Sequence, residues 1–228
     1  MAYLFPIGTI AGASNAGSIN SKNYYIFEPN SEVGCFSNPV YNVLTTRFQD
    51  QTLSTRKKSE PYLILTYSYE NLFAREFDQL QAFIDEVDDA LTSFFVIDFS
   101  KGMTPSNVVD NGSTWTVSID ITRPYSTVTN YRANYAILWN AVRRGYRMGA
   151  ISTVTANTSI LIAETYGALT AAQAASGTMV YPVYTCYCTP NALSDFKSTN
   201  YAIDTNTFAG GGGTMYSGSI TFTSKYKV

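Results

Sequence analysis

From Glu70 to Phe95 the large apolar residues recur at alternating fours and threes: Phe73, Phe77, Leu80, Ile84, Val87, Leu91 and Phe94. That spacing sets seven apolar side chains on one stripe of a helix. Glu76, Asp78, Asp85, Glu86, Asp88 and Asp89 fall on the other face. One long amphipathic helix is therefore expected over 70–95. A period of two governs much of the rest. Over 61–69, Leu63, Leu65, Tyr67 and Tyr69 share one face, with Tyr62, Ile64, Thr66 and Ser68 opposite. Trp115, Val117, Ile119 and Ile121 alternate with Thr114, Thr116, Ser118, Asp120 and Thr122, the clearest half-buried strand in the chain. Over 219–228, Ile220, Phe222, Tyr226 and Val228 alternate with Thr221, Thr223, Lys225 and Lys227, so the final strand is expected to be tied into a sheet.

Weaker patterns fill the gaps. Strands are expected at 24–27, 40–48, 95–99, 150–163 and 180–188, with a turn at 29–34. The polar stretch Gln49 to Glu60, containing Arg56-Lys57-Lys58, reads as a loop joining two strands. A second helix is expected from Asn130 to Arg144, on the spacing of Tyr131, Tyr135, Leu138 and Val142. Gly145 would close it in a left-handed cap, with Arg143 and Arg144 where the helix dipole favours cations. Ala168 to Ala175 is alanine-rich enough for a short helix, and Gly210 to Gly213 reads as a loop tip. Residues 1–23 read as an N-terminal arm or extended lead-in and 24–228 as a single β-rich domain. The fold class is mainly β with one long helix: an antiparallel β-sandwich or split barrel with a helix packed on one side.

Composition adds a reason to think of assembly. Charged residues make up 14% of the 228, against about 25% in soluble domains generally. The polar surface must come from Ser, Thr, Asn and 18 Tyr, and low charge leaves little repulsion between copies. The net charge of −2 gives no bulk attraction to nucleic acid or membrane. The charge is segregated, however. Residues 70–95 hold seven acids and one base, Arg75; residues 121–163 hold five arginines (Arg123, Arg132, Arg143, Arg144, Arg147) and no acid. An assembly interface is expected between Arg143, Arg144 and Arg147 of one copy and the face of Glu76, Asp85, Glu86 and Asp89 on another. No apolar run approaches the roughly 20 residues of a membrane span. The first ten residues lack a basic segment and are broken by Pro6 and Gly8, so a secretion signal is not expected.

The chain holds no histidine, which removes Ser-His-Asp and Cys-His nucleophile systems and imidazole-ligated zinc. The acids of the helix point around an arc and lack the glycine-bearing loop of a calcium site. Cys186 and Cys188 share one face of an expected strand, and only Cys35 remains as a third thiol. They read as small apolar residues. Asp98, Asp110, Asp120, Glu164, Asp195 and Asp204 are scattered, and no spacing pairs two of them for glycoside hydrolysis. No catalytic residue, metal or cofactor is therefore expected, and the chain reads as a non-enzyme.

The order of elements resembles a known group. An arm and strand lead to Arg47 and Arg56. A strand ending in Tyr67-Ser68-Tyr69 follows, then the acidic helix finishing at Ser93-Phe94-Phe95, a strand with Asp98, and the closing Gly218–Val228 segment. This resembles the minor tail proteins of tailed bacteriophages, particularly the distal tail protein group, over about residues 40–100 and the last dozen. The resemblance implies a β-sandwich or split barrel with one helix on its side, forming a hexameric ring that joins tail tube to baseplate or tip. It implies copies of the same chain and other tail proteins (tube, hub or tip) as partners, with no sequence-specific nucleic acid and no membrane. The implied location is the virion tail, after assembly in the host cytoplasm. Two alternatives fit the same composition: a capsid or head-decoration protein, and a carbohydrate-binding module or glycan hydrolase whose tyrosines would stack on sugars.

Overall fold

A proline decides where the central ladder of this protein opens. The computed structural model describes residues 2–5, 8–10, 18–19, 22–23, 34–41, 43–49, 52–57, 61–87, 92–128, 132–140, 145–167, 169–174, 177–200 and 213–224. Its strands are β1 (Ala2–Phe5), β2 (Gly8–Ile10), β3 (Ser18–Ile19), β4 (Lys22–Asn23), β5 (Cys35–Val40), β6 (Val43–Arg47), β7 (Leu53–Lys57), β8 (Tyr62–Phe73) and β9 (Phe94–Ile97). They continue with β10 (Asn107–Asp110), β11 (Thr114–Ser118), β12 (Tyr135–Asn140), β13 (Gly145–Thr155), β14 (Ser159–Tyr166), β15 (Thr178–Cys188), β16 (Lys197–Asn200) and β17 (Thr214–Ser224). Helix α1 spans Ala74–Glu86, α2 spans Ala171–Ala174, and a 3-10 turn covers Phe99–Lys101.

The main sheet runs β10-β11-β14-β13-β12-β15-β17-β8-β5, and it branches at β15. Val183 of β15 pairs with Tyr135 of β12 and with Ile97 of β9. At Cys186 the partner on the β9 side is still there, as Phe94, while Ser224 of β17 has taken the edge that β12 held. The pairings are antiparallel apart from that of β1 with β9, which ties Leu4 and Phe5 of the lead-in to the sheet. Asp98 donates its N–H to the Pro182 carbonyl at 2.9 Å. Pro182 has no N–H to return, so the ladder between β9 and β15 cannot continue. The chain leaves as the 3-10 turn and rejoins at Met103, which exchanges both backbone bonds with Val180.

One face of β15, β9, β11 and β14 contributes to the larger core together with the inner face of β8 and β17. Trp115, Val117, Ile160, Ile162, Val180 and Cys186 meet Leu63, Leu65, Tyr67, Ile220 and Phe222 in one cluster. Phe5 sits among Tyr67, Phe83 and Phe222 with ring centroids 4.7–5.2 Å apart, joining β1, β8, α1 and β17. The opposite face of β12, β13 and β15 is also buried, as Ile137, Trp139, Tyr146, Met148, Tyr181 and Val183 with Leu4 and Ile97.

The alternations over 62–69, 114–118 and 220–224 hold: Leu63, Leu65, Tyr67 and Tyr69, then Trp115 and Val117, then Ile220 and Phe222 are buried. Tyr226 and Val228 lie outside the described residues, as do the expected strand at 24–27, the turn residues Pro29 to Ser31, and Gly210 to Gly212.

Three expectations are corrected. The helix is 13 residues long and not 26. β8 runs on to Phe73, which is half exposed and serves as the helix N-cap, its N–H donating to Glu76 Oε2 at 2.9 Å. The buried stripe is Leu80, Phe83, Ile84 and Val87. Phe94 belongs to β9, where it packs edge-on against Phe83 at 5.2 Å, and Leu91 lies outside the described residues. The second helix does not form. Tyr135–Asn140 is β12, hydrogen-bonded to β13 on one edge and β15 on the other, and Asn140 pairs with Gly145. A strand covered on both faces reads as an unbroken apolar run, and a chance four-three-four spacing within it imitates a helix. The expected loop at 49–60 contains β7, which forms a hairpin with β6 that pairs with no other strand among the described residues.

Candidate functional site

The β6–β7 hairpin is exposed along its length. Of the eleven large apolar side chains exposed among the described residues, six fall within residues 36–53: Phe36, Tyr41, Val43, Leu44, Phe48 and Leu53. Leu53 is 65% exposed and Val43 and Leu44 each 54%. Directly opposed residues of an antiparallel pair share a face. Leu44 stands opposite Arg56 and Arg47 opposite Leu53, so both faces carry apolar and cationic side chains together. The strands of the hairpin contain no acid. An isolated two-stranded hairpin is marginal in water.

The residues expected to meet between copies lie on separate elements of the chain. Arg147 lies on β13, half-buried. Its Nη1 donates to the Gly167 carbonyl at 2.9 Å, and its guanidinium carbon sits 4.9 Å from the Trp115 ring centroid. It therefore braces the sheet within its own chain, where the sequence placed it in a basic segment facing a neighbouring copy. Arg143, Arg144 and Asp89 lie outside the described residues. Glu76 is spent on the N-cap of α1, while Asp78 and Asp85 are exposed on the helix and Glu86 is its last residue.

A buried polar node forms where the ladder opens. Asp98, fully buried, accepts the Ser100 N–H at 3.1 Å and the Ser100 hydroxyl on Oδ1. The Lys101 ammonium is 3.3 Å from Oδ2, and the Cys35 thiol is 3.9 Å from Oδ1. Tyr67 donates its hydroxyl to the Ile97 carbonyl. Burial, and secondarily the Asp98 carboxylate, pushes the Cys35 thiol up to about 12. Burial likewise raises Cys186, with Cys188 beside it. Both thiols are protonated at neutral pH and are weak nucleophiles and weak ligands in that form. Among the described residues no three His, Cys, Asp or Glu side chains come together. The carboxylate acts on the fold: it holds the 3-10 turn that Pro182 makes necessary.

The hairpin residues Val43, Leu44, Leu53 and Arg56 escaped the sequence reading. The signal that could have found them was apolar residues scattered through a Thr- and Arg-rich stretch with no buried face. Compared with known proteins, the chain matches no family model and no curated protein.

Proposed function

We propose that this chain is a structural virion protein of a phage tail, assembling with its own copies into a hexameric ring that joins the tail tube to the distal tip or baseplate. The observation that carries the reading is the β6–β7 hairpin, a pair of strands with no buried face in the monomer. A neighbouring copy that covers Val43, Leu44 and Leu53 would supply the burial that the hairpin lacks, at about 25 cal/mol per Å² of apolar surface. The exposed Arg47 and Arg56 complement the exposed Asp78 and Asp85 of α1 and take the place of the Arg143–Arg147 segment as the basic partner in this reading. Exposed pairs contribute only about 0–1 kcal/mol each, so they register subunits while apolar contact holds them. The fold fits the same reading as a sandwich or split barrel: the branch at β15 lets two parts of one sheet share a core, with α1 against β8 and β17 on its side.

The test is native mass measurement and negative-stain imaging of the purified protein. Rings of uniform copy number are expected. Closed shells would favour the capsid alternative, and a monomer persisting to about 100 μM, weaker than roughly 5.5 kcal/mol of association, would end the assembly reading.

A further inference from the structure

A groove of about 500 Å³ runs beside α1. Gln81, Ile84 and Asp85 of the helix line one side of it, and the turn from Asn191 to Ser194 lines the other. Ile84 and Ala192 are buried and give it an apolar floor, with Leu193 packed partly against the core beside them. Asp78, Gln81 and Asp85 follow one another at three and four residues, so they share one face of α1, and all three are exposed. Over 74–86 the chain carries four acids against Arg75. No cation lines the groove among the described residues.

Both walls are held in place by the chain itself. The Ser194 N–H donates to the Asn191 carbonyl at 2.9 Å, and the Phe196 N–H to the Leu193 carbonyl at 3.1 Å. Asn191 takes the left-handed conformation, φ 59°, which asparagine tolerates. Phe196 then packs on Phe77 at 5.3 Å and fixes the turn to the helix. A preformed seat costs little ordering when a partner arrives.

We infer, on the assembly reading above, that this groove receives the tip end of the β6–β7 hairpin of a second copy. Arg47 and Leu53 are the last opposed pair of the hairpin, and Phe48 follows, its N–H donating to the Thr52 carbonyl at 3.0 Å. All three side chains are exposed. Opposed Cβ atoms stand about 5 Å apart, so a cation and an apolar side chain leave the tip together. Ile84 and Asp85 offer the matching pair, an apolar floor beside an acid. Residues 43–57 hold three cations against Asp50, the opposite balance to the helix. The hairpin follows β5, the last strand in the sheet order, whereas the groove lies where α1 packs against β8 and β17. Two different patches of one chain that fit each other make a head-to-tail contact, which builds a ring when the rotation between copies closes.

The experiment is sedimentation velocity of the full chain and its variants. Gln81→Trp fills the groove from an exposed position, and Asp85→Arg reverses its charge. Each is expected to weaken assembly at least about tenfold while leaving the thermal transition in place. Arg47→Asp is expected to weaken it likewise, and the double variant Arg47→Asp/Asp85→Arg to return within about threefold of wild type. Added salt should narrow the gap between Asp85→Arg and wild type. If Gln81→Trp and Asp85→Arg assemble as wild type does, the tip is seated elsewhere, and the ring is untouched by that result. A double variant no better than either single would remove the hairpin as the occupant of the groove. Wild type that stays monomeric to about 100 μM would end both the docking and the ring.

Discussion

The Phe77 ring lies flat on the Tyr216 ring, centroids 4.1 Å apart and planes 5° from parallel, and so fastens α1 to β17. Phe196 packs beside Phe77 at 5.3 Å, its ring tilted by 49°. Phe77 is half-buried, whereas Phe83, six residues further on, is 3% exposed between Phe5 and Phe94. A ranking of truncations follows. Phe83→Ala should cost about 3–5 kcal/mol, and Phe77→Ala about 1–3, its stacking included. Phe73→Ala, half exposed at the N-cap, should stay within about 0.5 kcal/mol. Urea midpoints would measure all three. A Phe73 variant as damaging as Phe83 would restore the longer helical stripe and contradict the packing described.

Leu44→Asp and Leu53→Asp address the hairpin. Both side chains are more than half exposed, so monomer stability should change by no more than about 0.5 kcal/mol. Self-association, followed by mass photometry, should weaken at least about tenfold. Assemblies that form as readily as wild type would remove the hairpin from the interface while leaving a ring built on another surface open to imaging.

Asp98 should matter to the fold through the 3-10 turn. Asp98→Ala strips the acceptor from the Ser100 N–H and should cost about 1–3 kcal/mol; Lys101, partly exposed, can turn to water and adds little. Asp98→Asn keeps that acceptor and should cost less. Equal urea midpoints for wild type and Asp98→Ala would show that the turn stands without the carboxylate.

The buried thiol and phenols give the stability a direction with pH. Cys35 titrates near 9.0 in its ordinary state and at about 12 in the fold. Between those values the unfolded chain has lost the proton that the native state retains, so stability is full below about 9 and falls as pH rises towards 12. Tyr67, Tyr69 and Tyr125, all raised first by burial, add to the fall above 10. Cys35→Ala should flatten the first part of the decline in thermal melts taken across pH 8–11. An unchanged slope in that variant would mean that Cys35 is solvated. The same burial should leave the thiol slow to alkylate at pH 8 in the native protein.

Legibility in the sequence followed burial. β8, β11 and β17 were readable because each has one buried and one half-exposed face, so Leu63 to Tyr69, Trp115 to Val117 and Ile220 to Phe222 alternate with residues that, Ile64 apart, carry hydroxyls. β12 was not, because Ala136 and Leu138 face one cluster and Ile137 and Trp139 the other, leaving no polar face to set the period. β7 was missed for the opposite reason, since no described residue of the hairpin is buried and nothing selects apolar residues at alternate positions. In α1 the acidic arc and Leu80, Ile84 and Val87 were visible, but Phe94 continued the spacing by accident of the turn length between helix and strand.

Local pattern by itself determined that this is a β-rich chain with one acidic amphipathic helix, that its thiols fill space, and that its charge is divided between segments. Each of these depends on residues a few positions apart. Tertiary structure alone decided that β15 serves both β12 and β17, that Arg147 braces Trp115, and that Ile84 and Asp85 of α1 share one groove with Asn191 and Leu193. Those outcomes depend on which strands become neighbours, and on Pro182 withholding a donor opposite Asp98. A hydrogen-bond partner distant in sequence has no period to announce it.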